Sequence, residues 1–597
     1  MIPSRRTPSL CLARCSASLL LLLTGLCSGG LSVFAQPAEP TFSQIIVFGD
    51  SLSDTGNVRN RTDSESGGLV DYPGHIFNYA TGRFTNDNDT DPSSILYAGV
   101  WHEQLAQTFL GLPPAAYSLG GGTDYAFGGA TTNDGAHQEL VVSTPFGDIT
   151  ITIDDMGKQM DDYLAAHVVD PNALYIVWGG ANDLFNDDSA TSVTATAARA
   201  TALVSRLATA GAQYIMVPNA PPLGDTPASS SDPATMAALN AASMNYRDEL
   251  NADLTSSLSA LALQGIMPTV YRVDVWTNTI RIFSNPGNYG FTDISSSSQG
   301  NSGANPDQFL FWDGIHPTTA GHYWTAKGAN DALTIPFTPP AKAVNIATRV
   351  FVDTGERVSI AGFVITGDVS KRVLIRGIGP SLATSGVPSP LADPTLALFD
   401  DSGNTLMTND NWQDSQAAEI IATGIPPQNA LESAIVATLG PGHYTAVLAG
   451  KNETTGNGLA EVYDLEPGTS STLANLSTRG FVGTGDNAMI GGLIIGDGDS
   501  PIVVLRAIGP TLASSGIVNP LLDPIIELHD GNGAVIGFND NWQDSQMQAV
   551  LATQLAPTDD REAAIVAPFL TPGNYTAVVR GNADTTGVAL VEAYRIP

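Results

Sequence analysis

Three uninterrupted apolar runs stand out along the first half of the chain: "QIIVFGD" from Gln44, "ALYIVWGG" from Ala173 and "QYIMVPN" from Gln213. A strand with one wet face alternates apolar and polar residues. Runs without alternation predict strands buried on both faces of a parallel sheet. Around them, "VWHEQLAQTFLG" from Val100, "DDMGKQMDDYLAAH" from Asp154 and "SVTATAARATALVSRLATAG" from Ser192 carry helical spacing. Strand and helix in alternation predict a three-layer α/β/α domain over residues 36–335, with right-handed crossovers. Ligands of such sheets gather at the carboxyl ends of the strands. Ser51 and Asn182 each follow a predicted strand directly and are therefore expected on that edge.

The pattern changes after "IPFTPPAKA", which predicts a Pro-rich linker over 336–344. Beyond it lie short β-type runs separated by Gly, Asp and Asn, and they occur twice. "RGIGPSLATSG" at Arg376 matches "RAIGPTLASSG" at Arg506, and "NDNWQDSQ" at Asn409 recurs at Asn539, both at an offset of 130 residues. The expected units are repeat 1 over 345–467, a linker over 468–474, and repeat 2 over 475–597. Each is long enough for a separate small domain, and an antiparallel β-sandwich is the natural reading of each.

A chain of 597 residues exceeds one ordinary core, in agreement with several domains. Residues 1–35 read as a secretory signal: Arg5, Arg6 and Arg14, an apolar "SASLLLLLTGL", and "VFA" before Gln36. The chain is accordingly expected to be secreted, extracellular or associated with the cell surface. All three cysteines fall in this leader, so a mature chain would hold no disulfide and no thiolate metal site. Removing the leader leaves 22 of the 25 basic residues against 59 acidic ones, a net charge of 22 − 59 = −37. A surface of that sign repels nucleic acid and anionic lipid headgroups. No later apolar run is long enough for a membrane helix.

The tripeptide Gly49-Asp50-Ser51 fits both a nucleophile and an ordinary strand-ending turn. Three further stretches bear on the choice: "YAFGGATT" with Gly128 and Gly129, "WGGANDLF" with Asn182, and "FWDGIHPT" with Asp313 and His316. In order and spacing these four blocks resemble those of the GDSL (SGNH) esterase/lipase family. "GRFTN" at Gly82, "PNAPPLGDTP" at Pro218 and "IFSNPGNYGFT" at Ile282 are similar to the family's intervening segments, and the resemblance covers about residues 44 to 330. It implies an SGNH-hydrolase fold and a carboxylic ester hydrolase with Ser51 as nucleophile. His316 would be the base and Asp313 its orienting carboxylate, because a serine hydroxyl needs a positioned base to lose its proton. It also implies an oxyanion hole made by the backbone N–H groups of Ser51 and Gly129 and the side-chain amide of Asn182. Gly129 is favoured over Gly128 by the family's small-residue-then-glycine pattern. His75, His102, His137, His167 and His322 read as solvated, packed or substrate-adjacent, and His443 and His529 lie in the repeats.

No cofactor is expected, and no metal. Asp50 and Asp54 flank Ser51 without a nearby His or Cys, and hydrogen bonding in the turn explains them better. The acidic loops of the repeats, such as "DDSGN" at Asp400 and "HDGNG" at His529, offer oxygen ligands for calcium but lack a recognised loop spacing; hydrogen-bonded turns explain them as well. Acyl lipids and short-chain esters are the favoured substrates, with a carbohydrate O-acetylesterase as the alternative. An alternative of another class is a surface or matrix binding protein whose hydrolase-like domain is inactive. Partners are then an ester substrate and a polymer or cell surface met through the repeats, where Trp412 and Trp542 fit either core or contact positions. The tail lacks the evenly spaced amphipathic strands of an outer-membrane barrel.

Overall fold

The computed structural model describes residues 41–87, 97–134, 137–144, 147–301, 303–334, 342–498 and 500–596. The expected signal at 1–35 and most of the Pro-rich linker lie outside them. Strands β1 (Ile45–Gly49), β2 (Leu174–Trp178), β3 (Tyr214–Pro218) and β4 (Thr269–Val273) form a parallel sheet in that order. On the far side of β1 an extended segment joins the edge through the Val47–Asp124 bridge and a Tyr125 N–H donated to the Val47 carbonyl. After β1 the chain moves first to one side and then to the other. The order of strands thus reverses at β1, and a crevice opens at the carboxyl end of such a strand.

Both faces of the sheet are covered, which is why its strands carry no polar alternation. Ile46, Phe48, Tyr175 and Val177 pack beneath α1 (Met156–Ala166), α2 (Ala190–Ala210) and α3 (Pro233–Ala262). Ile45, Val47, Leu174 and Ile176 face Trp101, Leu105, the start of α4 (Val275–Ser284) and the Ala326, Ala329 and Leu333 stripe of α5 (Thr319–Thr334). Burying one such side chain contributes about 1.5–3 kcal/mol, and Phe48 is fully buried. The long helices α2 and α3 begin on Ser189 and Asp232, whose side chains accept the N–H of Ser192 and Thr235.

The strand-rich half departs from two independent sandwiches. Repeat 1 contributes β5 (Ala343–Val352), β6 (Ser359–Thr366) and β7 (Gly456–Asp464); repeat 2 contributes β8 (Thr472–Val482), β9 (Met489–Ile495) and β10 (Gly587–Ile596). β5 lies between β7 of its own repeat and β9 of the other, and β8 lies between β10 of its own repeat and β6 of the other. Neither repeat completes its pairing alone. Ile346, Phe363 and Leu448 therefore share one core with Leu476, Leu505 and Val579. Thr348 Oγ1 donates to Thr478 Oγ1 at 2.9 Å, both residues fully buried. The two threonines are 130 positions apart, so the duplication has become a local two-fold axis. The first strand begins at 343, two residues before the expected repeat boundary, and β8 begins inside the expected 468–474 linker.

Among the described residues no helix is long and apolar enough to cross a membrane. The acidic loops of the repeats turn their carboxylates inward on themselves: Asp400 Oδ1 accepts the N–H of Ser402 and Asn404, and Asp530 Oδ1 those of Asn532 and Ala534. Trp412 and Trp542 are both buried.

Candidate active site

β1 ends at Gly49, and the next residues coil tightly, with the N–H groups of Ser53 and Asp54 both donated to the Asp50 carbonyl. A side chain at Gly49 would collide with the Trp178 carbonyl, 2.7 Å from where its Cβ would sit. That close approach of β1 to β2 lets the turn emerge at the crevice with Ser51 at its head. From the other end of the domain, the Trp312 N–H is donated to the His316 carbonyl, closing the loop that carries Asp313 and His316.

These three side chains meet. His316 Nε2 lies 2.8 Å from Ser51 Oγ, and His316 Nδ1 lies 2.7 Å from Asp313 Oδ2. With Nδ1 protonated and donating to the carboxylate, Nε2 is left as the acceptor that faces the serine hydroxyl. Asp313 Oδ1 accepts the N–H groups of Ile315 and His316, and Tyr79 Oη donates to Oδ2 at 2.7 Å. Burial pushes the Asp313 carboxyl up, but the neighbouring His316, its hydrogen bond and the two backbone N–H groups outweigh it and hold the group well below the usual carboxylate range. Phe84 stacks on the His316 ring, with centroids 5.1 Å apart, which fixes its tilt. Ser51, Asp313 and His316 are each 8% exposed.

Of the expected oxyanion donors, Ser51 and Asn182 line the same cleft as His316. Gly128 donates its N–H to Asp54 Oδ2 at 3.0 Å, whereas the N–H groups of Ser51 and Gly129 make no hydrogen bond to the described residues. Of the two glycines, Gly129 is thus the one with a free donor. Its φ of +84° is left-handed, and a Cβ there would press on Ile153 at 3.0 Å, so the position admits glycine on two counts. Asn182 donates one amide hydrogen to the Ala130 carbonyl at 2.9 Å, which orients the amide and leaves its second hydrogen unused. The adjacent Asp183 accepts from Thr132 N–H, Thr132 Oγ1 and Arg199, locking the Asn182 helix to the loop after Gly129. Gly129 is not among the residues lining the cleft and precedes Ala130, whose carbonyl holds the Asn182 amide. Asn182→Ala is expected to lower kcat on an ester by about 10² to 10³ with the melting temperature held, as for loss of one oxyanion donor. Full kcat in that variant would remove Asn182 from the oxyanion hole.

Sequence reasoning did not single out Tyr79, Phe84 or Asp183. The nearest signal was the similarity of "GRFTN", which contains Phe84, to a family segment. His102 is fully buried, with Nε2 against the Ser53 carbonyl at 2.7 Å, and His322 Nδ1 accepts the Trp101 N–H; neither faces the cleft.

The serine opens into a cleft whose empty space, open solvent included, is about 810 Å³. Its walls are mainly apolar, with Trp178, Phe185, Leu223, Ile282 and Phe311 among them.

Acidic groups around the site are unusually deep. Burial pushes Asp50 up to about 7, Asp54 to about 6 and Asp225 to about 7, from an ordinary value of 3.8. Between about pH 4 and pH 7 the folded chain keeps protons on these groups that the unfolded chain has released. Stability therefore falls as pH rises through that window. Burial pushes His102 and His322 down, which works in the opposite sense below 6.5, but the raised carboxyls outnumber them. The melting temperature is expected to be higher near pH 5.5 than at pH 7.5 in a scan at constant ionic strength. A higher value at pH 7.5 would show that these carboxyls are charged in the folded protein.

Comparison with known proteins covers this half of the chain. Residues 45–329 match the model of the GDSL-like Lipase/Acylhydrolase family. The phosphatidylcholine-sterol acyltransferase of Aeromonas hydrophila is 28% identical over 274 residues, covering 46% of this chain and 70% of that protein. The anther-specific proline-rich protein APG of Arabidopsis thaliana is 28% identical over 320 residues, 47% of this chain and 59% of its own length. Lipase 1 of Photorhabdus luminescens is 30% identical over 204 residues, 33% of this chain and 25% of that protein. Among solved structures, a lipolytic G-D-S-L family member from Veillonella parvula covers 48% of this chain and 95% of its own at 14% identity, with a TM-score of 0.25. Residues 45–329 belong to the GDSL-like lipase/acylhydrolase family, and the domain they form is an ester hydrolase.

Proposed function

We propose that the protein is a secreted serine esterase that cleaves acyl esters through an acyl-enzyme, with an acyl chain longer than acetyl as its preferred substrate. The observation that supports this most is the unbroken chain of 2.8 and 2.7 Å contacts from Ser51 through His316 to Asp313, set at the mouth of a cleft with mainly apolar walls. As Ser51 Oγ bonds to the ester carbonyl carbon, its proton passes to His316 Nε2, and Asp313 stabilises the imidazolium that forms. The carbonyl oxygen takes the negative charge opposite the N–H groups of Ser51 and Gly129 and the amide of Asn182. Collapse breaks the bond to the alcohol, which leaves with the proton from His316. Water, deprotonated by His316, then attacks the acyl-Ser51 carbonyl, and the acid leaves as the proton returns to Ser51.

The substrate follows from the walls. Each methylene that leaves water for apolar surface contributes about 0.8 kcal/mol. Two relatives, a phosphatidylcholine-sterol acyltransferase and a lipase, point the same way. A p-nitrophenyl ester series from acetate to palmitate is expected to show kcat/KM rising by about fourfold per methylene until the cleft is full. A maximum at acetate would mark a carbohydrate O-acetylesterase instead, and no hydrolysis of any member by folded protein would mark a binding protein.

A further inference from the structure

The back of the cleft wall is covered by the second repeat. Ile282, Leu310 and Phe311 line the cleft, and the same three belong to an apolar cluster continued by Ile502, Val504, Trp542, Val550 and Val566. A short helix of repeat 2, whose range is Met547–Ala552, packs on α4 and touches the Leu223–Asp225 turn. At its start Gln546 Nε2 donates to the carbonyl of Ser284, the last residue of α4, at 3.3 Å. Nearby the Arg281 guanidinium lies 5.5 Å from the ring centroid of Phe569.

Repeat 1 builds the same local structure and uses it differently. Its helix Ala417–Ala422 sits over Leu374, Trp412, Ile420, Ala434 and Val436, a cluster that contains no hydrolase residue. Those five positions are the counterparts, at the offset of 130, of Val504, Trp542, Val550, Ala564 and Val566, all five of which lie in the cluster shared with the hydrolase domain. The rims differ. Repeat 1 carries the ion pair Arg372–Glu419, 2.8 Å long and open to solvent, where repeat 2 has Ile502 and Ala549, exposed by 3% and 0%. Ile421 is 56% exposed, whereas its counterpart Leu551 packs against the shared cluster. Repeat 2 has therefore exchanged charge for apolar surface at the place where the hydrolase domain meets it.

We propose that repeat 2 is a working part of the acyl site: the face carrying Ile502, Ala549 and Leu551 holds α4 and the Leu223–Asp225 turn in place and thereby sets acyl-chain selectivity. This rests on the esterase reading above. The three residues touch no cleft surface and act as positioning residues. The counterpart face of repeat 1 keeps its Arg372–Glu419 ion pair and has no such role.

The test is the full-length double variant I502R/A549E. It gives repeat 2 the ion pair that repeat 1 already accommodates in the same local fold, so the repeat can fold while its docking face becomes charged. Desolvating that pair against α4 opposes docking. The expected results are a larger radius of gyration in solution scattering and a fall of about tenfold in kcat/KM for a long-chain p-nitrophenyl ester, because a wall displaced by a fraction of an ångström loses its fit. The acetate ester should change by less than about twofold, because it carries no chain of methylenes whose contact with that wall could be lost. Leu551→Ser should move both readouts in the same direction but less, and it decides the matter if circular dichroism shows the double variant unfolded. The reverse exchange in repeat 1, R372I/E419A, should leave the chain-length profile unchanged. A detached repeat with the wild-type profile, a uniform loss across the ester series, or an unchanged radius of gyration in every variant would overturn the proposal. Failure of the wild-type protein to hydrolyse any ester would instead overturn the esterase reading, with scattering still reporting the docking.

Discussion

Ser51→Ala is expected to lower kcat on a p-nitrophenyl acyl ester by about 10⁶, with the melting temperature and far-ultraviolet dichroism unchanged. The size of the effect follows from the role of the atom removed. Without Oγ no acyl-enzyme forms, and what remains is water attacking an ester held against the oxyanion donors, worth about 10³ to 10⁴ over the uncatalysed reaction. The fold should tolerate the change because the turn is held by other groups: the Asp50 carbonyl accepts from Ser53 and Asp54, and Asp54 itself accepts the N–H groups of Gly56, Asn57, Val58 and Gly128. A loss of less than tenfold would mean that Ser51 belongs to the turn and not to the chemistry.

Asp313→Asn should cost about 10⁴ in kcat with little change in KM, although the replacement is nearly isosteric. Oδ1 of Asp313 accepts two backbone N–H groups that shape the loop, and Oδ2 faces His316 Nδ1 and Tyr79 Oη. An asparagine that keeps its oxygen on the backbone must turn its NH₂ towards His316. The imidazole then accepts at Nδ1 and carries its proton on Nε2, where it cannot take the proton of Ser51. Turning the amide the other way leaves two backbone N–H groups facing an NH₂. Stopped-flow or steady-state kinetics on the same ester measures the loss; a variant with kcat within a few-fold of wild type would show that the tautomer is set elsewhere.

The convergence of Ser51, His316 and Asp313, the proposed catalytic residues, was legible in the sequence because they sit in short stretches whose order is itself informative. The continuous apolar runs predicted strands buried on both faces, and both faces of β1 and β2 are covered by helices. What the sequence concealed is of two kinds. Tyr79 lies in a loop with nothing in its spacing to connect it with Asp313, 234 positions away, yet its hydroxyl shares Oδ2 with His316. The interlocking of the repeats was hidden for a different reason. Two copies of one strand pattern satisfy the same alternation whether β5 and β8 pair within their own repeat or across, so periodicity carries no information about the exchange. The docking of repeat 2, by contrast, left a trace in the alignment of the copies: Arg372 and Glu419 stand opposite Ile502 and Ala549. A charged pair replaced by apolar residues on one copy only marks a face that has acquired a partner.

The esterase account makes one demand that no binding-only reading shares, a covalent acyl intermediate on one named oxygen. An activated p-nitrophenyl alkylphosphonate with a long alkyl chain mimics the tetrahedral intermediate, and its transfer to the protein can be located by mass spectrometry of the peptide that contains residues 45–57. The account predicts one equivalent of p-nitrophenol released in step with loss of esterase activity, a single phosphonyl adduct on Ser51, and none in Ser51→Ala. Complete inactivation with the adduct on another residue, or undiminished hydrolysis with Ser51 fully modified, would contradict it.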